Sequence, residues 1–170
     1  MTKLMNGLRS ASDWVDRIAA WISIVYAFLV TVIVLASVFL RMAGRAPSWS
    51  EEFARWLLIG IAFISASVAL KRGAHIGITA LIKAIPSRTI LRRIIQVSNL
   101  LVFIFLVYMF WFGLDAAIKA ADQTGDIIPI SALYVKLHVP IGALMMLVHV
   151  LYYGLGTFVE DDPKTCLLSH

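Results

Sequence analysis

Four long apolar runs, separated by short polar stretches, divide this chain. The first runs from about residue 18 to 40 without one charged side chain. The others cover about 53–70, 94–114 and 133–158. Each reads as a helix long enough to cross the roughly 30 Å of bilayer hydrocarbon, the first with some tilt. The pattern predicts an all-α integral membrane protein: a single membrane domain over 1–170 with four transmembrane helices. A short amphipathic helix over Ile76 to Ile85, ending at Pro86, is expected to lie in the interface. Ser12-Asp13-Trp14 is expected to begin another short interfacial helix ahead of the first span.

The second run organises the rest. It opens on Trp49, Ser50, Glu51, Glu52, Arg55 and Trp56, and stops at Lys71 and Arg72. Ser48 or Ser50 is a plausible N-cap, and the two glutamates meet the positive end of the helix dipole. Glu51 and Arg55 stand four apart in the favourable acid-first order, as do Asp115 and Lys119 after the third run. Gly44 and Pro47 break the chain before this helix, and Pro140 is expected to kink the fourth.

Small residues mark faces for close helix packing. Ala19, Ser23, Ala27 and Thr31 recur every four residues in span one. In span two Ala62 and Ala66 share a face, and so do Ser65 and Ala69.

Composition agrees with the pattern. The 170 residues are 61% hydrophobic and carry a formal charge of +5. The basic residues sit in short loops beside apolar runs, which marks them as orientation signals rather than a nucleic-acid surface. The segment 71–93 holds Lys71, Arg72, Lys83, Arg88, Arg92 and Arg93 and no acid. The positive-inside rule then places both termini and this loop in the cytoplasm, with the Trp49–Arg55 cluster outside. Arg72, Lys83, Arg88, Arg92 and Arg93 are expected to anchor to phospholipid headgroups. No cleavable signal peptide is evident, and Cys166, the one cysteine, reads as an ordinary free thiol.

Candidate chemistry is sparse. His138 and His149 share the fourth run and His75 lies in the basic loop, so no two spans offer a haem a histidine each. His149 is better read as a packing polar group and His138 as an interfacial residue. The first span and the centres of the third and fourth lack an acid, which disfavours a proton-coupled carrier. There is no metal-ligand spacing, phosphate loop or nucleophile motif. The residues assign no catalytic group, metal or cofactor, and point to a chain that packs against a larger partner. A stand-alone four-span transporter and a membrane anchor of a redox enzyme remain the alternatives.

Several motifs, in order, resemble one family. Arg41, Gly44 and Trp49-Ser50-Glu51-Glu52-x-x-Arg55 are similar to the small, DctQ-type membrane subunit of tripartite ATP-independent periplasmic (TRAP) transporters. So are Lys71-Arg72-Gly73-Ala74-His75-Ile76-Gly77-Ile78, and Ile128-Pro129-Ile130-Ser131 followed by Tyr134 and Pro140-Ile141-Gly142. The resemblance implies a multi-pass protein of the bacterial inner membrane. Its partners would be a large multi-span transport subunit and a periplasmic substrate-binding protein. It implies a sodium gradient as driving force and organic acids, such as dicarboxylates or sialic acids, as substrates. Transport and sodium sites would belong to the large subunit, and this chain would extend the static scaffold of an elevator-type transporter. Some relatives are fused to the large subunit; this chain would assemble as a separate polypeptide. Trp49, Glu51, Glu52 and Arg55 would fix the outer end of the assembly and help dock the binding protein.

Overall fold

A computed structural model describes residues 2–45, 47–73 and 88–159. Among these the chain is all helix, and four segments are long and apolar enough to cross a membrane: Met5–Met42, Trp49–Arg72, Thr89–Lys119 and Ala132–Gly156. The expected interfacial helix at 76–85, with Lys83 and His75, lies outside the described residues, as do the acidic tail and Cys166.

Helix α1 spans Thr2–Met42 without interruption. The polar head is thus no separate interfacial helix but the first turns of the span. It is held by tertiary contacts: Asp13 and Asp16, one turn apart, find basic partners on the next helix, and Ser12 is fully buried. The helix ends in a Schellman cap. The Arg45 N–H bonds the Leu40 carbonyl at 2.8 Å and the Gly44 N–H bonds Arg41 at 3.1 Å. Gly44 supplies the left-handed turn this cap needs, with φ +75°.

Helix α2 spans Trp49–Gly73. Ser50 therefore lies inside the helix rather than capping it. Its Oγ donates back to the Pro47 carbonyl at 2.8 Å and meets Ser37 Oγ of α1 at 2.9 Å, a buried polar pair between the two helices. Helix α3 spans Arg88–Lys119, and the expected Asp115–Lys119 pair closes at 2.7 Å on its exposed last turn.

The chain then folds back through residues 120–131, pinned by an isolated bridge between Thr124 and Ser131. Ser131 caps helix α4, Ala132–Lys136, accepting from the Leu133 N–H at 3.2 Å. Helix α5, His138–Val159, completes the fourth span. The kink expected at Pro140 is a break at Leu137. Proline has no N–H, and its ring collides with the carbonyl four residues back, here Lys136, where α4 ends.

Helices α2 and α5 form the middle of the bundle. Helix α1 packs on α2 and α5, and α3 packs on α5. Leu106 of α3 meets Met146 and Val150 of α5 in a buried cluster that Ala66 and Leu70 of α2 extend. The outer faces of α1 and α3 stay bare: Phe28, Phe39, Phe105 and Trp111 are each more than 60% exposed. Apolar side chains at such exposure suit lipid or a partner helix, not water.

Candidate functional site

Polar residues gather at the two ends of the bundle. At the end where α2 begins, Glu52 turns inward and is 5% exposed. Its Oε1 accepts the Asp126 N–H at 2.8 Å, and its Oε2 accepts the N–H of Ile127 at 2.9 Å and of Ile128 at 2.8 Å. One carboxylate thus satisfies three consecutive backbone donors of the 120–131 loop. Such charge-assisted bonds are stronger than neutral ones, and three successive N–H groups make a natural anion cradle. Arg55, one turn further along α2, adds Coulombic attraction.

The clasp depends on Gly125. A Cβ there would stand 2.5 Å from Glu52 Oε1, 2.7 Å from the Ile128 carbonyl and 2.8 Å from the Trp56 ring. Any side chain would push the carboxylate out of its seat. Beside the clasp, Trp49 and Phe53 pack edge to face at 6.5 Å and, with Ile127 to Ile130, line a shallow apolar recess of about 330 Å³.

Glu51 takes a different partner from the one its spacing suggests. It pairs at 2.7 Å with Arg41 at the end of α1, with both side chains more than half exposed. The four predicted residues of this cluster therefore divide. Glu52 ties α2 to the loop, Glu51 ties α2 to α1, and Trp49 and Arg55 are exposed.

At the opposite end, α1, α2 and α5 are tied by a polar chain. His149, fully buried, has Nδ1 2.8 Å from Ser12 Oγ and Nε2 3.1 Å from Ser67 Oγ. Each hydroxyl can donate or accept, so a neutral imidazole of either tautomer is fully bonded. One turn along, Tyr153 donates to the Lys71 carbonyl at 3.0 Å, near the end of α2 where carbonyls lack partners within the helix. Lys71 Nζ meets Asp13 at 2.6 Å, and Arg72 grips Asp16 through Nε and an Nη at 2.8–3.2 Å. Arg72, expected at lipid phosphate, has a protein partner first. Arg92 is half-buried and Arg93 exposed in the early turns of α3, which Arg88 opens; Lys83 lies outside the described residues.

Of the small-residue stripe on α1, Ala19 and Ser23 face inward, while Ala27 and Thr31 are exposed. A four-residue step overshoots the helical repeat by about 40°, so Thr31 stands about 120° round from Ala19. The inward seam instead follows Ser12, Ala19, Tyr26 and Ile33 at heptad spacing. On α2, Ala66 touches the core and Ala62 is exposed.

Two close helix approaches use glycines that the small-residue pattern passed over. A Cβ on Gly60 would lie 2.5 Å from the Tyr26 ring, and one on Gly142 would lie 2.7 Å from the Phe63 carbonyl. His138 packs half-buried in this region. Its Nδ1 donates to the Val135 carbonyl at 3.0 Å and its Nε2 accepts from Tyr26 Oη at 3.2 Å. Gly60 and Gly142 were visible in the sequence as glycines inside apolar runs, the usual mark of a close backbone approach.

Among the described residues no three His, Cys, Asp or Glu side chains gather to hold a metal ion. The polar groups found are paired across helices, so both ends do structural work.

A bundle of four apolar helices, knit at both ends and bare on its outer faces, defines a multi-pass membrane protein. Residues 30–158 match the family of tripartite ATP-independent periplasmic transporters, DctQ component, and the chain belongs to that family. It is therefore the small membrane component of such a transporter, a family of transport components and not of enzymes. No curated protein matches the chain.

Proposed function

We propose that this chain is a scaffold subunit that packs against the large transport subunit of a sodium-coupled, binding-protein-dependent importer of organic acids, such as sialic acids or C4-dicarboxylates. The observation that carries this reading is the contrast between the paired interior and the bare outer faces of α1 and α3. A carrier would keep a charged or broken helix in its middle. Here the charged side chains of the described spans lie toward the ends; of the buried ones, Lys71 is paired with α1 and Glu52 with the loop before α4.

With the orientation expected from the basic residues, the protein lies in the bacterial inner membrane. Both termini and the 74–87 segment face the cytoplasm, and the Glu52 clasp faces the periplasm. The apolar recess beside the clasp, lined by Trp49, Phe53 and the Ile127–Ile130 stretch, then adjoins the large subunit or the docked binding protein. The Arg92–Arg93 end adjoins phospholipid headgroups. Sodium and substrate bind the large subunit, in keeping with the family resemblance.

Purification of the tagged chain from its native membrane in mild detergent tests this. A stoichiometric, much larger multi-span partner is expected. Recovery of the small chain alone, folded and transporting a solute when reconstituted, would overturn the scaffold role. Glu52→Ala combined with Arg55→Ala should lower recovery of that complex or uptake, and unchanged assembly and uptake would exclude the clasp from both.

A further inference from the structure

Between the last turns of α1 and the first turns of α2 lies a recess of about 540 Å³. Arg41 of α1 and Glu51 and Arg55 of α2 stand at its rim, and Val34, Val38 and Leu58 line it further along. The chain leaves α1 and enters α2 at this end. On both helices, therefore, the charges lie at the end and the apolar residues one to two turns deeper.

The rim holds two cations and one anion, and the anion is already taken. Glu51 pairs with Arg41 at 2.7 Å. The next carboxylate, Glu52, turns inward and is filled by three loop amides. Arg55 stands four residues after Glu51 and three after Glu52, spacings at which either could meet it. It hydrogen-bonds to neither. Arg55 is exposed, attracts Glu52 only through space, and makes no hydrogen bond among the described residues. Arg41 gives one Nη to Glu51 and keeps 60% of its side chain exposed. The rim thus carries one surplus positive charge, with guanidinium donors still to be met.

Their depth is set by the sequence. The uncharged run of α1 ends at Leu40, and that of α2 starts at Trp56. Arg41 and Arg55 stand at those limits, where hydrocarbon gives way to headgroups, whichever side of the membrane they face. A phosphate there can take two parallel bonds from one guanidinium. From Arg41 to Val34, and from Glu51 to Leu58, is about 10 Å along the helix, enough to bed the upper part of an acyl chain. Charge then selects the head. One phosphate balances the surplus. A head with an ammonium beside its phosphate brings the surplus back and finds the rim's one carboxylate already paired.

We propose that Arg41, Arg55 and the groove below them bind one phospholipid of net negative charge, namely phosphatidylglycerol. The site involves α1 and α2 alone and does not depend on what the chain assembles with.

Native mass spectrometry of the purified full chain, offered equal phosphatidylglycerol and phosphatidylethanolamine, tests it. One glycerol-headed lipid should be retained, favoured by about threefold, the size of a modest exposed charge pairing. Arg55→Gln should erase that preference. Leu58→Trp fills the groove from a position 53% exposed and should cut retention by about fivefold. If Arg55→Gln fails to fold, the groove-filling variant decides alone. Equal retention of both lipids by the unaltered chain, an undiminished preference in Arg55→Gln, or full retention by Leu58→Trp overturns the proposal. In native membranes, a photoreactive side chain at position 58 should capture phospholipid. Capture of a large membrane protein instead would give Arg55 a protein partner and overturn it too.

Discussion

Glu51 and Glu52 are neighbours with opposite fates. Glu51 is exposed and reaches Arg41, whereas Glu52 is buried under the 126–128 backbone. Sequence placed both in the first turn of a helix but had no means of showing that a loop 74 residues away would close over one of them. The clasp makes a graded prediction. Glu52→Gln keeps the size but turns an N–H pair toward the loop's own donors, and Glu52→Ala leaves three N–H groups unmet. Thermal unfolding in mild detergent should rank wild type above Gln and Gln above Ala, with protease cutting between 120 and 131 rising in the same order. Equal stability of the three would mean water replaces the carboxylate without loss. Gly125→Ala attacks the same seat from the other side and should cost about 1–3 kcal/mol, as overpacking does. His149 was legible as a packing residue from its lone position in an apolar run, though its partners Ser12 and Ser67 were not. His149→Leu should destabilise by about 1–2 kcal/mol in the same unfolding measurement, since hydrogen bonds between membrane helices are individually modest.

At the scale of elements, apolar runs located all four spans, and Asp115–Lys119 formed as its spacing foretold. What spacing could not show was which face turns inward. The every-fourth stripe on α1 drifts off the seam because a helix repeats at about 3.6 residues, not four. The polar head continues α1 instead of forming a separate helix, and its contacts to α2 through Asp13 and Asp16 are tertiary and leave no local signal. The glycines at the crossings give the element-scale prediction. Gly142→Ala sets a methyl against the Phe63 backbone, which cannot swing aside, and should cost about 1–3 kcal/mol. Gly60→Ala meets the ends of the Tyr26 and His138 rings, which can move, and should cost less while breaking their hydrogen bond. Gly154→Ala meets nothing within 4 Å and should be neutral or stabilising by up to about 1 kcal/mol. Unfolding in detergent that failed to separate Gly142 from Gly154 would mean that α2 and α5 are not in close contact there.

For the whole molecule, membership of the transporter family rests on residues 30–158, which reach from mid-α1 almost to the end of α5. The order of motifs made that family legible in the sequence; the way the two ends are tied was not. Ion pairs that join α1 to α2 should be exchangeable. Asp16→Arg alone should lower stability by about 0.5–1 kcal/mol, and Arg72→Asp added to it should restore most of the loss. Failure of the double exchange to recover anything would show that the pair's surroundings, not its attraction, hold it.

The polar ties of this bundle also impose an order on its making. Ser12 waits 137 residues for His149, and Glu52 waits 74 residues for the first of its loop amides. At about 5–20 residues per second of synthesis, the glutamate stands alone for roughly 4–15 seconds and the serine for longer. A chain interrupted before its last helix would carry unanswered hydroxyls and a bare carbonyl at the Lys71 end. In the finished chain His149 answers Ser12 and Ser67 and Tyr153 answers the Lys71 carbonyl, so a membrane protease that reads those groups would tell the two apart.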